Sequence, residues 1–137
     1  MFRKNALAVV LLVGCIGAQA ESLVGAWKAV SYEIAGVPHP MQGLFLFTRH
    51  YYSSNVRFRL GEGPIDDANG NAGPYHVNGN EIVFEQWVQV HVRPEDTKQP
   101  VLSHEGAPEH SKFQRQGNRL TIVFPSGNRF QLERATE

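Results

Sequence analysis

The chain has one cysteine, Cys15, among 137 residues, so it can close no internal disulfide and can build no cysteine-rich metal knot. Neither sign of charge is in excess: 13 basic side chains face 13 acidic ones, and no basic stripe runs along the chain. That balance argues against nucleic acid as a partner. Long apolar runs are missing too. The stretch Ala6 to Ala18 is broken by Gly14 and Gly17 and falls short of the ~20 residues a permanent membrane helix needs. No segment carries a convincing 3.6-residue apolar period, an internal repeat or a low-complexity tract. Stability must therefore come from a hydrophobic core, in a chain long enough for one domain and too short for two.

What is present begins with an export signal. Residues 1–20, MFRKNALAVVLLVGCIGAQA, place Arg3 and Lys4 before the apolar run Ala6 to Val13 and then turn to small residues. Two cleavage readings stay open. Ala18-Gln19-Ala20 is a small-x-small site that would release a soluble protein beginning at Glu21. Leu12-Val13-Gly14-Cys15 resembles a bacterial lipobox, in which Cys15 becomes the lipidated first residue and a lipid anchor. The expected localisation is accordingly periplasmic or secreted, or else membrane-anchored through Cys15. The domain is 21–137. Removing Arg3 and Lys4 with the signal leaves eleven basic against thirteen acidic side chains, a net of −2.

From Leu23 onward apolar residues alternate with period two, and turn residues recur every eight to twelve positions, the spacing of short antiparallel strands. The pattern predicts strands at Leu23–Ile34, Leu44–Thr48, Tyr51–Leu60, Ala72–Val77, Glu81–Val92, Ser111–Gln116, Leu120–Phe124 and Asn128–Arg134. Gly61–Gly73 reads as a polar loop, Asn78-Gly79-Asn80 as a tight hairpin turn, and Pro94–Pro108 as a surface loop or rim lid. In the longest strand Ile82, Phe84, Val88 and Val90 share a face with Gln86, opposite Glu85, Trp87, Gln89 and His91. The fold class is all-β: a single antiparallel up-and-down barrel of about eight strands, closed so that no edge is left free. An interior of that size holds side chains or one small ligand.

The opening Ser22-Leu23-Val24-Gly25-Ala26-Trp27-Lys28-Ala29-Val30-Ser31-Tyr32-Glu33 resembles the first strand of bacterial lipocalin-like domains. It is also similar to the Gly-x-Trp start of lipocalins and intracellular fatty-acid-binding proteins. Gly43 to Ser53 is similar to the second and third strands of that family, and Gln116 to Ile122 to a late hairpin. The resemblance implies a calycin-type barrel closed by Gly25, Trp27 and an arginine of the last strand lying on the tryptophan ring. Arg134 shares a face with Phe130 and Leu132 and is the candidate, with Arg129 as the alternative.

For chemistry, His104-Glu105 with Glu109-His110 is the densest metal-ligand group, but it lies in a proline-rich loop and reads as solvated; no metal or other cofactor is expected. Asp67-Ala68-Asn69-Gly70-Asn71 faintly resembles a calcium loop but lacks the distal glutamate, and reads as an Asx-Gly turn. Glu33 and Glu85 could point inward as an acid–base pair, although an alternating strand normally puts such groups outside. No Gly-x-Ser-x-Gly elbow is present, and no catalytic residue is assigned.

The expectation is a monomeric binding protein for a small hydrophobic or amphipathic molecule in the barrel interior. Phe47, Tyr52, Phe58 and Phe84 would supply apolar contact, and Arg57 and Gln86 a polar grip. The competing reading is a solid-cored interaction module of the cell envelope.

Overall fold

A computed structural model describes residues 23–59, 67–92, 101–103 and 106–136. The segment expected to be an export signal, with Cys15, and His104-Glu105 lie outside the described residues. Ten strands follow one another: β1 (Gly25–Ile34), β2 (Val37–Phe47), β3 (Tyr51–Phe58), β4 (Asp67–Asn78), β5 (Glu81–Phe84), β6 (Val88–Val92), β7 (Val101–Ser103), β8 (Glu109–Gln116), β9 (Arg119–Val123) and β10 (Arg129–Arg134). Eight of them close a ring in the order β1–β2–β3–β4–β5–β8–β9–β10, with β10 back on β1 and every pair antiparallel. The fold is thus the closed eight-strand barrel that the period-two pattern predicts.

Outside the ring β6 continues the line of β5 along β4, and β7 pairs on its far side as an extra strand. That strand corrects the reading of Pro94–Pro108 as wholly irregular. Three other boundaries move. β2 starts at Val37, before Pro38 and Pro40, so the turn after β1 is only Ala35-Gly36. β4 starts at Asp67, so Asp67-Ala68-Asn69-Gly70-Asn71 is strand and not a turn or a calcium loop. Cross-strand neighbours on both edges override the local turn preference of Asn and Gly here.

The third correction concerns the long strand expected over Glu81–Val92. It breaks at Glu85–Trp87, and the break reverses its faces. Ile82 and Phe84 point into the core, whereas beyond the break Val88 and Val90 are exposed, and Gln89 and His91 take the face that Asn71 and Asn69 share. Gly73 permits the break: a β-carbon there would run into the Glu85 carbonyl oxygen. A similar shift in β1, between Ala29 and Ser31, turns Tyr32 inward beside Phe130, while Glu33 pairs across to Arg129 at 3.9 Å.

One end of the barrel is plugged. Trp27 is fully buried, and its indole Nε1–H donates to the Leu23 carbonyl at 2.8 Å. The Arg134 guanidinium lies 4.2 Å from the ring centroid, with that of Arg115 at 5.5 Å. Arg134 Nη1 also donates to the Val24 carbonyl at 2.7 Å. Above this plug Phe45, Phe47, Tyr52, Tyr75 and Phe84 pack ring against ring across the interior, with centroid distances between 4.7 and 6.4 Å. Ile82, Leu120, Ile122 and Leu132 fill the space between them.

Candidate functional site

The opposite end of the barrel is built differently. β4 carries Asp67, Asn69 and Asn71 on its inner face, and register places Ser54 of β3 and Gln89 of β6 either side of Asn71, with Val56 and His91 either side of Asn69. Three to four strands away around the ring, Tyr32, Phe124 and Phe130 are only half-buried and contact one another edge to face, at 4.6 to 6.5 Å. Phe58 joins them at 5.0 Å from Tyr32. The Asn128 Nδ2 donates to the Tyr32 hydroxyl at 3.2 Å and holds the ring in place. One wall of this end is therefore amide-rich and the other aromatic.

Between the walls β8 begins. Glu109 precedes the inward residues Ser111 and Phe113 by the strand's own period of two, and pairs with Phe84. Burial raises its carboxyl above the usual carboxylate range, and a hydrogen bond from the Ser111 hydroxyl at 3.3 Å offsets part of that. Tyr52, whose ring meets Phe84 edge to face at 4.7 Å, feels the same environment. Burial first, and the Glu109 charge second, hold its phenol well above the ordinary range.

Asn71 has the least satisfied group in this wall. Its Nδ2 donates to Asn69 Oδ1 at 2.8 Å, while its Oδ1 is shut off from solvent and has no hydrogen-bond partner among the described residues. Such an atom is costly to leave unmade, by about 1–3 kcal/mol.

The six residues expected to hold a ligand are not gathered in one place. Phe47, Tyr52 and Phe84 are buried together in the middle of the barrel, and Phe58 belongs to the aromatic wall at the far end. Gln86 is half-buried at the break between β5 and β6. Arg57 points outward, where its Nε and Nη2 donate to Gln42 Oε1. Glu33 and Glu85 face outward as well, toward Arg129 and His76. Gly25, Trp27 and Arg134 do meet, and Arg129 does not join them.

The sequence names Glu109, Asn69 and Asn71 only as weak metal ligands in a loop and a turn, and does not place them on the inner face of the barrel. The alternation Glu109, Ser111, Phe113 is the signal that would place Glu109 there. Among the described residues no cluster of three metal-ligating side chains occurs.

A concavity of about 640 Å³ lies on the outer wall. Its floor is the small outward residues Ala68, Gly70 and Ala72 of β4, with Ser53, Asn55 and Arg57 along one side and Val88, Val90 and Val92 along the other. Trp87, 60% exposed, stacks on the exposed Tyr51 at 5.5 Å nearby.

No family model, curated protein or solved structure matches this chain.

Proposed function

We propose that this chain is an exported, lipocalin-like binding protein that takes a small amphipathic molecule into the open end of its barrel. The supporting observation is the division of that end into an aromatic wall, Tyr32, Phe124 and Phe130, and an amide wall on β4 and β6. The inner face of a barrel is ordinarily apolar, and polar groups placed there are unfavourable unless something bonds to them. An amphipathic guest satisfies both walls at once. The crossed rings deeper down leave the ligand at the mouth rather than along the whole axis.

The test is native mass spectrometry of protein isolated from the cell envelope that makes it, together with uptake of a hydrophobic dye by the purified protein. A bound small molecule, and dye uptake that Asn71→Trp blocks by filling the mouth, are expected. A uniformly empty protein that takes up no dye overturns the reading. Export is tested by intact-mass measurement of soluble and membrane fractions. The added mass of acyl chains, abolished by Cys15→Ser, assigns the anchored form, and a mature protein starting at Glu21 assigns the soluble one.

The exposed Trp87–Tyr51 pair beside the outer groove favours one second reading, an interaction module that docks an envelope partner on this wall. On that reading Val90→Asp abolishes association and leaves dye uptake unchanged.

A further inference from the structure

The exposed apolar side chains of this barrel are segregated. All nine large ones among the described residues lie on or next to β1, β2, β3 and β6, and β5, β8, β9 and β10 leave none exposed. Apolar residues scattered singly over a surface need no explanation, whereas a one-sided patch does. Register shows how it is laid out. Lys28, Leu44, Asn55, Gly70 and Val90 form one row across the outer wall, and Leu46 and Val88 stand in the next row, either side of Ser53 and Ala72. Between the leucines and the valines runs the 640 Å³ concavity, crossed in these two rows only by small or neutral side chains.

The rim of the patch has a different character. At one end the exposed rings of Tyr51 and Trp87 lie 5.5 Å apart, and at the other Arg57 donates to Gln42. Between those ends the described charged side chains are Lys28 and Arg57, both cations. The carboxylates nearest in register, Glu133 opposite Lys28 and Glu85 two residues before Trp87, stand at the margin. An anionic bilayer surface takes this combination: aliphatic side chains enter its apolar layer, tryptophan and tyrosine sit at head-group depth, and basic groups meet the phosphates. Gly25, where β1 begins, is level in register with Phe47, Tyr52 and Gly73, beside the Tyr51–Trp87 rim. A leader or a lipidated Cys15 held in a membrane would thus bring this rim to it.

We propose that this wall docks on an anionic lipid surface, with Leu44, Leu46, Val88 and Val90 entering the bilayer and Lys28 and Arg57 on the head groups. The inference rests on the docking reading of this wall, names the partner, and is independent of any ligand inside the barrel.

Vesicles of phosphatidylcholine, alone or mixed with an equal part of phosphatidylglycerol, provide the test. Cys15→Ser protein from the soluble fraction is used, so that no acyl chain contributes. Co-sedimentation with the mixed vesicles alone is expected, weakened at about 0.5 M salt, where surface charges are screened within a few ångströms. On binding, Trp87 emission shifts to the blue and escapes acrylamide. Lys28→Gln and Arg57→Gln each weaken binding about fivefold, the worth of one basic side chain at such a surface. Leu44→Ser combined with Leu46→Ser abolishes it. Lys112→Gln removes the same charge from an exposed position on another wall, β8, and leaves binding within about twofold. Unchanged emission from buried Trp27 checks that each variant folds. Failure to bind, equal binding to both kinds of vesicle, or equal effects of Lys112→Gln and Lys28→Gln overturns the lipid assignment. Protein that ignores vesicles but self-associates, and is made monomeric by Val90→Asp, also overturns it and leaves the docking reading standing. If the wall associates with neither vesicles, copies of the chain nor envelope proteins, both fall.

Discussion

The Arg134 guanidinium lies over Trp27, 4.2 Å from its centroid, and from that position its Nη1 would collide with a β-carbon at Gly25. Gly25 also has φ +126°, a conformation that L side chains rarely adopt. One substitution therefore meets two obstacles. Gly25→Ala is expected to lower stability in urea denaturation by about 2 kcal/mol or more, since the backbone must leave this region and the guanidinium must leave the ring. Arg134→Lys keeps the charge but loses the planar stacking, at a cost of about 1 kcal/mol. A Gly25→Ala variant as stable as the parent would show that the plug tolerates a shifted arginine.

Glu109 gives stability a pH dependence of known sign. Its folded carboxyl binds a proton up to a higher pH than its unfolded one, so folding grows less favourable as pH rises through that interval and stays so above it. Glu109→Gln removes the ionised form. The variant should be more stable than the parent at about pH 7 and equal to it at about pH 3, where both states of the parent are protonated. Thermal unfolding at the two pH values checks this, and a variant less stable at neutral pH would mean the carboxylate has a stabilising partner.

At alkaline pH the tyrosines take over. Burial raises the phenols of Tyr52 and Tyr75, and the Tyr75 hydroxyl donates to the Thr48 carbonyl at 2.6 Å. The folded state thus keeps protons that the unfolded chain releases above about pH 10, and stability falls as pH climbs past that point. Ultraviolet titration should show the phenols of two tyrosines, Tyr52 and Tyr75, ionising only with unfolding. Tyr52→Phe should reduce that count to one.

The two tryptophans are a built-in pair of probes. Trp27 is fully buried and Trp87 is 60% exposed. Acrylamide should quench Trp87 alone, and Trp87→Phe should leave a blue-shifted, quencher-resistant emission from Trp27. The same substitution leaves stability within about 0.5 kcal/mol, as for other surface positions.

The barrel was legible because alternation survives wherever one face of a strand meets the core. Ser111 and Phe113, Leu120 and Ile122, and Trp27 and Ala29 each announce their inner face. One reading of faces fails elsewhere. The break at Glu85–Trp87 sends Val88 and Val90 out, one residue out of phase with Ile82 and Phe84, and the shift in β1 likewise moves Tyr32 inside. Asn69, Gly70 and Asn71 carry every local sign of a turn, and only pairing to β3 on one side and β6 on the other makes them strand. The end of the barrel they line was hidden for that reason. Its polar wall is made of residues that propensity assigns to loops.

The departure of β6 from the ring separates two quantities that barrels usually tie together. β5 stays bonded to β8, so the eight-strand hoop is complete without β6 and β7. Peeling β6 from β4 breaks no bond of the hoop, so such an opening draws on local rather than global free energy. Amide hydrogen exchange would then run faster at Val88–Val92 than at Glu81–Phe84, and on the proposed binding role the rate of guest entry would be retuned in β6 without touching the melting temperature.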